Sequence, residues 1–305
     1  MKKIYLIIPF SIFMINCKDG VKSQAPESQS IITKSTIIIK GSDTELPMVK
    51  AFCKAFQNEH TEMSFDLSGG GSGYGIEALI KKETDVANSS RAMYDYELLR
   101  AKRNGVNPIQ IMFSVDSSAI ITNSKLGIDS LSTEEVTQIF SGIITNWKSL
   151  GGPNLPIIIY GRDSTSGTHN YLRDKFIRAP YSATMKHMRG NAEIVNEVQN
   201  NISGIGYCGV GFLTNVDGKP NGNIWAMPIY IKVSKVYSPF EREAVKNGNY
   251  VLARPLYQYI DGKPNSKLYD FIYSELTLRG QETIISYGYF PISDYQSEIN
   301  RLNGL

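Results

Sequence analysis

Three times along the chain, a predicted strand runs into a turn rich in glycine and small hydroxyl residues, and a predicted helix follows at once. The turns are residues 41–44, 69–73 and 164–168. A helix N-terminus offers unpaired N–H groups and about half a positive charge, while glycine admits a ligand close to the backbone and hydroxyls add donors. One such turn alone is more typical of simple helix capping. Three in one chain indicate a shared site for a tetrahedral oxyanion.

Two arginines stand beside these polar segments. Arg162 precedes the third turn, and Arg91 follows the pair Ser89 and Ser90. Arginine presents a planar fork of donors that matches phosphate or sulfate with two parallel hydrogen bonds. Both arginines are therefore candidate anion ligands, and for Arg91 an ion pair with no ligand contact is the alternative.

The pattern around the turns predicts an α/β fold. Residues 35–39 are β-branched, residues 45–59 place apolar side chains on one helical face, and residues 63–67 return to a strand pattern. This alternation predicts largely parallel sheets. Further along, residues 108–115 and 118–122 are predicted as two strands flanking a possible crossover. A helix at 132–140 is predicted to open with a capping box formed by Ser132 and Glu135.

The N-terminus has the features of an export signal. Lys2 and Lys3 precede an apolar run at residues 4–15, which is too short to span a bilayer. The run ends before Cys17 and a polar segment, and this resembles a bacterial lipobox, whose cysteine carries two acyl chains and anchors stably. A plain secretory signal with an incidental cysteine is the alternative. We expect a signal peptide at 1–16, an acylated Cys17 with a flexible tether at 17–32, and folded chain from residue 33.

Composition excludes several other classes. The 305 residues are 42% apolar and 20% charged, as in an ordinary globular protein. Without Lys2 and Lys3 the formal net charge is +1, which argues against a nucleic-acid partner. The three histidines stand apart and the three cysteines form no CxxC motif, so we expect no metal ion and no cofactor.

The glycine-rich turns also fail as catalytic motifs. Residues 70–74 lack the last glycine of a GxSxG nucleophile elbow, and no turn completes a P-loop or a dinucleotide-binding motif. No nucleophile stands beside a base, so a phosphatase is a poor interpretation. Abundant donors without a catalytic constellation favour a binding protein over an enzyme.

Several ordered blocks of the chain resemble the PstS-type phosphate-binding proteins, the substrate-binding lipoproteins of phosphate ABC importers. The blocks are GSDT at 41–44, GGGSGYGI at 69–76, DVANSSRAM at 85–93, IFSG and NW within 139–147, GRDSTSGT at 161–168, GIGYCGVGF at 204–212, ARPLYQYI at 253–260 and GYFP at 288–291. Together they span most of the chain, and their order is far more specific than any single block.

This resemblance implies a class II periplasmic-binding-protein fold, with two α/β lobes joined by two hinge strands and one anion held between them. It implies a first lobe at 33–117 and 251–305 and a second lobe at 118–250. It also implies a monomer that delivers inorganic phosphate to the permease subunits of an ABC importer and catalyses no reaction. The expected phosphate ligands are Ser42, Asp43, Thr44, Ser72, Gly73, Ser90, Arg91, Asp116, Arg162, Ser166, Gly167 and Thr168.

Selectivity among oxyanions needs a further group, because phosphate carries a proton that sulfate lacks. A carboxylate accepts that proton and repels sulfate. The best-known branch of the family has an aspartate where this chain has Arg91, so the acceptor must lie elsewhere. Asp43 is the first candidate, Asp116 the second and Asp163 the third. A sulfate-like ligand, or a surface sensor or adhesin on the same fold, are the alternative functions.

Overall fold

The computed structural model describes residues 35–213, 222–231 and 235–305. The predicted signal peptide, Cys17 and the tether at 17–32 lie outside the described residues. Within the described ranges, no helix combines the length and the apolar character that crossing a membrane requires.

The chain begins with three parallel strands and the helices that connect them. Strand β1 pairs with β2 on one side and with β3 on the other, both in parallel register. The predicted strand, helix and strand at residues 35–67 are confirmed. The elements are β1 (Ser35–Gly41), α1 (Leu46–Glu59), β2 (Met63–Ser68), α2 (Ser72–Ile80), β3 (Val86–Ser89) and α3 (Asp95–Arg103).

One long strand, β4 (Pro108–Asn123), then carries the chain out of this first unit. The prediction of two strands with a crossover between them is wrong, since these 16 residues form a single strand. Asp116 and Ser117 are polar residues between two apolar runs, which favoured a break. The strand continues through them because both are fully buried and both pair with β11, after which Ser118 pairs with β8.

The partners of β4 change at its centre. Up to Ser117 it pairs antiparallel with β11 (Ala253–Asp261), and from Ser118 onward it pairs antiparallel with β8 (Gly204–Gly209). The main sheet runs β2-β1-β3-β11-β4-β8-β6-β7, with β9 (Ile224–Ala226) also paired to β4. The sheet is therefore mixed rather than largely parallel, because the strands that enter and leave the second lobe run antiparallel to each other.

The second lobe occupies the chain between those two strands. Its helix α4 opens with the predicted capping box, in which the Ser132 hydroxyl accepts from the backbone N–H of Glu135 and the Glu135 carboxylate accepts from the N–H of Ser132. Helix α5 continues directly into a π-helical turn, Leu172–Ile177. The remaining elements are β5 (Leu131–Ser132), α4 (Thr133–Phe140), β6 (Ile158–Gly161), α5 (Gly167–Tyr171), β7 (Lys186–His187), α6 (Asn191–Asn200), β10 (Ile229–Tyr230) and α7 (Arg242–Lys246).

After β11, three helices complete the first lobe: α8 (Ser266–Leu276), α9 (Leu278–Ser286) and α10 (Asp294–Leu302). Each lobe has its own hydrophobic core. Phe52, Phe113 and Phe271 lie in the first, while Phe140 and Trp147 lie in the second. The two lobes are connected where β4 leaves and β11 returns. A side chain at this crossing therefore lies between the two cores.

The two cysteines of the described chain are structural. Cys53 lies in the first core and Cys208 in the second, and both are buried and free, as predicted. Burial raises the pKa of both thiols, which makes them unreactive.

Candidate oxyanion-binding site

The three predicted turns meet between the lobes, where helices α1, α2 and α5 all begin. Thr44 lies two residues before α1, Ser72 is the first residue of α2, and Thr168 is the second residue of α5. The Oγ1 atoms of Thr44 and Thr168 are 3.1 Å apart across the interlobe boundary. The hydroxyls of Ser72 and Ser90 are 3.3 Å apart, and the N–H of Ser90 donates to the Ser72 oxygen at 3.0 Å. We call Thr44, Ser72, Ser90 and Thr168 the hydroxyl cluster.

Glycine lets the two lobes approach each other at the hydroxyl cluster. A Cβ on Gly167 of the second lobe would lie 2.1 Å from the Oγ of Ser72 and 2.6 Å from the Oγ of Ser90. At a neighbouring point the backbone N–H of Gly73 donates to the carbonyl of Thr165 at 2.9 Å. The lobes therefore contact each other through the main chain as well as through hydroxyls.

Arg162 extends from the end of β6 toward the first lobe. Its Nη2 donates to the Oδ2 of Asp43 at 2.7 Å, while the Oδ1 of Asp43 accepts from the N–H of Gly70 at 3.0 Å. The Arg162 side chain is 5% exposed and that of Asp43 is 17% exposed. Two of the residues predicted as ligands thus form an ion pair that joins the lobes.

Arg254, which sequence reasoning missed, supplies a second buried cation. It lies on β11 directly opposite Asp116 of β4, and its Nε and Nη2 donate to the Oδ2 of Asp116 at 3.0 Å and 2.8 Å. Its Nη2 also donates to the Thr44 hydroxyl, and its Nη1 to the carbonyl of Ser90, both at 3.3 Å. Both side chains of the pair are 0% exposed. Arg254 therefore connects the hinge strands to the hydroxyl cluster.

The signal that could have identified Arg254 is its place in the sequence. Arg254 and the terminal Asp261 are the charged residues of its strand, and a buried cation requires a partner. Asp116 occupies a similar position in β4, but 138 residues separate the two.

The carboxyl groups at this site differ in their surroundings. Burial raises the pKa of Asp116, although the charge and hydrogen bonds of Arg254 oppose the shift. Glu45, which follows Thr44, is fully buried, and burial raises its pKa well above the ordinary value despite the nearby Ser42 hydroxyl. Glu45 therefore differs from Asp43 and Asp116, which are each bound to an arginine.

The other predicted ligands have different surroundings. Arg91 directs its guanidinium to Glu97, with contacts of 2.7 Å and 2.8 Å, and to the carbonyl of Ala92. The structure therefore does not bring this guanidinium to the hydroxyl cluster. The Oγ of Ser166 caps α5 by accepting from the N–H of His169 at 3.3 Å. Asp163 accepts from the hydroxyl of Thr165 within its own turn.

The chemistry of the assembled site is that of an anion receptor. The hydroxyl cluster and two arginines supply donors from both lobes, and burial strengthens each hydrogen bond by excluding water. Two aspartates supply acceptors. Among residues 35–213, 222–231 and 235–305, no group of three or more histidine, cysteine or carboxylate side chains is arranged to hold a metal ion.

The sequence profile of the PBP superfamily domain matches residues 23–274, more than half of the chain. The chain belongs to the PBP superfamily. The phosphate-binding protein PstS of Pseudomonas aeruginosa is 25% identical to it over 270 residues, covering 83% of this chain and 81% of that protein. PstS of Borreliella burgdorferi is 25% identical over 303 residues, covering 96% and 99%.

Solved structures share the PBP superfamily fold of this chain. The ABC-type phosphate transport receptor from Vibrio cholerae superposes with a TM-score of 0.66 at 21% identity, covering 84% of this chain and all of that chain. The predicted two-lobed α/β fold and the resemblance to PstS-type proteins are confirmed. In this PBP superfamily chain, the hydroxyl cluster lies between the lobes, where the ligand was expected.

Proposed function

We propose that this protein captures inorganic phosphate between its two lobes and delivers it to an ABC importer. One observation carries the proposal: hydroxyls from three helix N-termini and two buried arginines converge from both lobes on one place. The relatives named as phosphate-binding proteins agree with this ligand.

The donors that would hold the anion are already side by side. Thr44, Ser72, Ser90 and Thr168 now hydrogen-bond among themselves or to nearby groups. Hydroxyl hydrogens rotate freely to suit an acceptor, so these four hydroxyls can donate to the oxygens of a tetrahedral anion. Arg162 and Arg254 add charge-assisted hydrogen bonds, which are about twice as strong as neutral ones.

Selectivity follows from the carboxylates, as a proposal for Asp43 and Asp116. Each holds an arginine with Oδ2 and accepts a backbone N–H with Oδ1, so each still has a free lone pair for the proton of phosphate. Sulfate has no proton to donate, so its oxygen would face a carboxylate oxygen with no hydrogen bond between them. Asp43 stays the first candidate for the acceptor because it joins the lobes.

The remaining parts of the proposal concern location and partners. We propose an extracytoplasmic, lipid-anchored monomer that is held to a bacterial membrane through Cys17, presents phosphate to the permease subunits of the importer and catalyses no reaction. The signal sequence and the lipobox support the anchor. The PstS names of the relatives support the delivery of phosphate.

Isothermal titration of ligand-stripped protein with phosphate, sulfate and arsenate tests the function. We expect heat of binding with phosphate and at least a tenfold weaker affinity in Arg162→Ala, because a lost charge-assisted hydrogen bond costs about 1.5 to 3 kcal/mol. Arg189→Ala is the matched control, since the Arg189 side chain is 95% exposed and lies in the same lobe. Binding of sulfate but not phosphate would contradict the proposal, and unchanged affinity in Arg162→Ala would place the anion elsewhere.

A further inference from the structure

Outside the hydroxyl cluster, a second side-chain bridge joins the lobes. Tyr94 belongs to the first lobe and is the N-cap residue of α3. Its hydroxyl donates to the Oδ2 of Asp174 at 2.6 Å. Asp174 lies in the π-helical turn that continues α5, six residues after Thr168. The bridge therefore ends on the same helical segment that presents Thr168 to the anion.

Arg91 holds Tyr94 in place from two sides. Its guanidinium stacks over the Tyr94 ring, 4.2 Å from the ring centre. It also binds both carboxylate oxygens of Glu97, and the Oε2 of Glu97 accepts from the N–H of Tyr94 at 2.8 Å. The side chains of Arg91 and Glu97 are both only 6% exposed. A buried two-point ion pair of this kind fixes geometry more firmly than an exposed one.

The surroundings leave the bridge able to form and to break. Tyr94, Asp174 and Arg173 line a cavity of about 560 Å³ between the lobes, so the bridge stands at a solvent-filled opening. The Oδ1 of Asp174 accepts from the Nε of Arg173 at 2.7 Å, which leaves Oδ2 for the tyrosine. Separation of the lobes would return both groups to water without leaving a buried charge unpaired.

From these contacts we infer that Arg91 is a positioning residue for lobe closure and not a ligand of the anion. It orients Tyr94 so that the tyrosine hydroxyl reaches Asp174, and this bridge retards the release of bound phosphate. The inference rests on the proposed function. Because the bridge forms only when the lobes are together, it slows the opening step and leaves the first encounter with phosphate unchanged.

The test is the release rate of phosphate from Tyr94→Phe, which removes one hydroxyl and keeps the ring. We expect release to be roughly tenfold faster, as loss of a hydrogen bond to a charged group implies, with an unchanged association rate. Stopped-flow release into an excess of a fluorescent phosphate-scavenging protein measures it. Tyr295→Phe is the matched control, because Tyr295 is 74% exposed on α10. Release from Tyr94→Phe at the rate of the unmodified protein would overturn the inference.

A double-mutant cycle separates positioning from direct contact with the anion. Arg91→Lys keeps the charge but loses the two-point contact, so it should speed release in the unmodified protein and add less than twofold in Tyr94→Phe. If Arg91→Lys speeds phosphate release equally in the unmodified protein and in Tyr94→Phe, Arg91 contacts the anion directly, and the inference is overturned. Should Arg91→Lys not fold, Glu97→Gln replaces it in the cycle with the same expected non-additivity, because it also breaks the two-point contact that holds Arg91.

The two proposals fail in different ways. Unmodified protein that binds another oxyanion instead of phosphate overturns the proposed function, and the release of that anion then carries the same test of the bridge. Protein that binds no oxyanion overturns both. Phosphate binding with no effect of Tyr94→Phe overturns the inference alone.

Discussion

Two glutamates in the first lobe have carboxyl groups without a hydrogen-bonding partner. Glu45 and Glu275 are fully buried, and no oxygen of either lies in normal hydrogen-bond geometry with the described residues, although Ser42 and Gln258 lie beside them. Burial raises the pKa of Glu275 to about 8. The folded chain therefore keeps protons that the unfolded chain releases at a much lower pH.

The raised pKa values of these two glutamates predict how stability depends on pH. Between about pH 4.3, the ordinary pKa of glutamate, and pH 8, the folded state binds more protons than the unfolded state, so the free energy of unfolding falls as pH rises. Glu275→Gln should remove up to about 1.4 kcal/mol per pH unit of that decline. Urea unfolding at pH 5, 6, 7 and 8 measures it, with the exposed Glu282→Gln as control. The same slope in Glu275→Gln and the unmodified protein would contradict this prediction.

The two arginines at residues 91 and 254 mark the limit of prediction from sequence. Arg91 follows a serine pair and was predicted as a ligand, and in the structure its guanidinium binds Glu97, six residues further along the chain. The local sequence shows both residues, but it does not show whether Arg91 binds Glu97 or an anion. Arg254 contacts the cluster only because β11 returns beside β4, and sequence patterns do not report which distant strands will pair.

At the scale of elements, helix α5 supplies the second lobe's member of the hydroxyl cluster. Gly167 is its first residue, and the helix presents Thr168 to Thr44 across the boundary. Alanine suits the first turn of a helix, so nothing within α5 itself requires glycine. The requirement comes from the other lobe, whose Ser72 and Ser90 hydroxyls occupy the space that a Cβ would need.

Gly167→Ala should therefore separate closure from folding. We expect phosphate affinity to fall at least tenfold, because the methyl group collides with the first lobe, while the melting temperature of the ligand-free protein changes by a few degrees at most. Titration calorimetry and thermal unfolding measure the two quantities. Gly190→Ala is the matched control, since a Cβ there meets no atom within 4 Å. Wild-type affinity in Gly167→Ala would mean that the lobes close differently.

The elements that sequence predicted well are those specified by neighbours along the chain. The capping box of Ser132 and Glu135 and the helix starts beside the glycine turns depend on residues three or four apart. Strand β4 was missed as a single element because its polar centre is satisfied from far away, by Arg254 and by the N–H of Val210. The conversion of α5 into a π-helical turn carried no local signal that we recognise.

For the whole molecule, two separate cores and two chain crossings indicate rigid lobes on a hinge. An ion pair, side-chain hydrogen bonds and a backbone hydrogen bond span the boundary, so the closed arrangement is held by polar contacts. Such contacts exchange readily with water, unlike the apolar cores on either side. A ligand that binds both lobes therefore shifts the equilibrium between open and closed states toward the closed state.

Phosphate should compact the protein, and sulfate at equal concentration should not. An anion gripped by Thr44 and Arg162 from opposite lobes binds the closed state better than the open one, which drives closure. Small-angle X-ray scattering of ligand-free and ligand-loaded protein measures the radius of gyration. Gly167→Ala, which should resist closure, is the control at matched phosphate. Identical scattering curves with and without phosphate would refute the hinge mechanism.

The backbone hydrogen bond between Gly73 and Thr165 gives a way to measure the opening of the lobes. Gly73 lies in the first turn of α2, where backbone N–H groups have no partner within the helix, and its N–H donates to the carbonyl of Thr165 in the opposite lobe. Exchange at this one amide is then governed by how often the lobes part, and amides of the buried strands respond only to unfolding. The deuterium-exchange rate of the Gly73 amide therefore measures how often the two lobes separate.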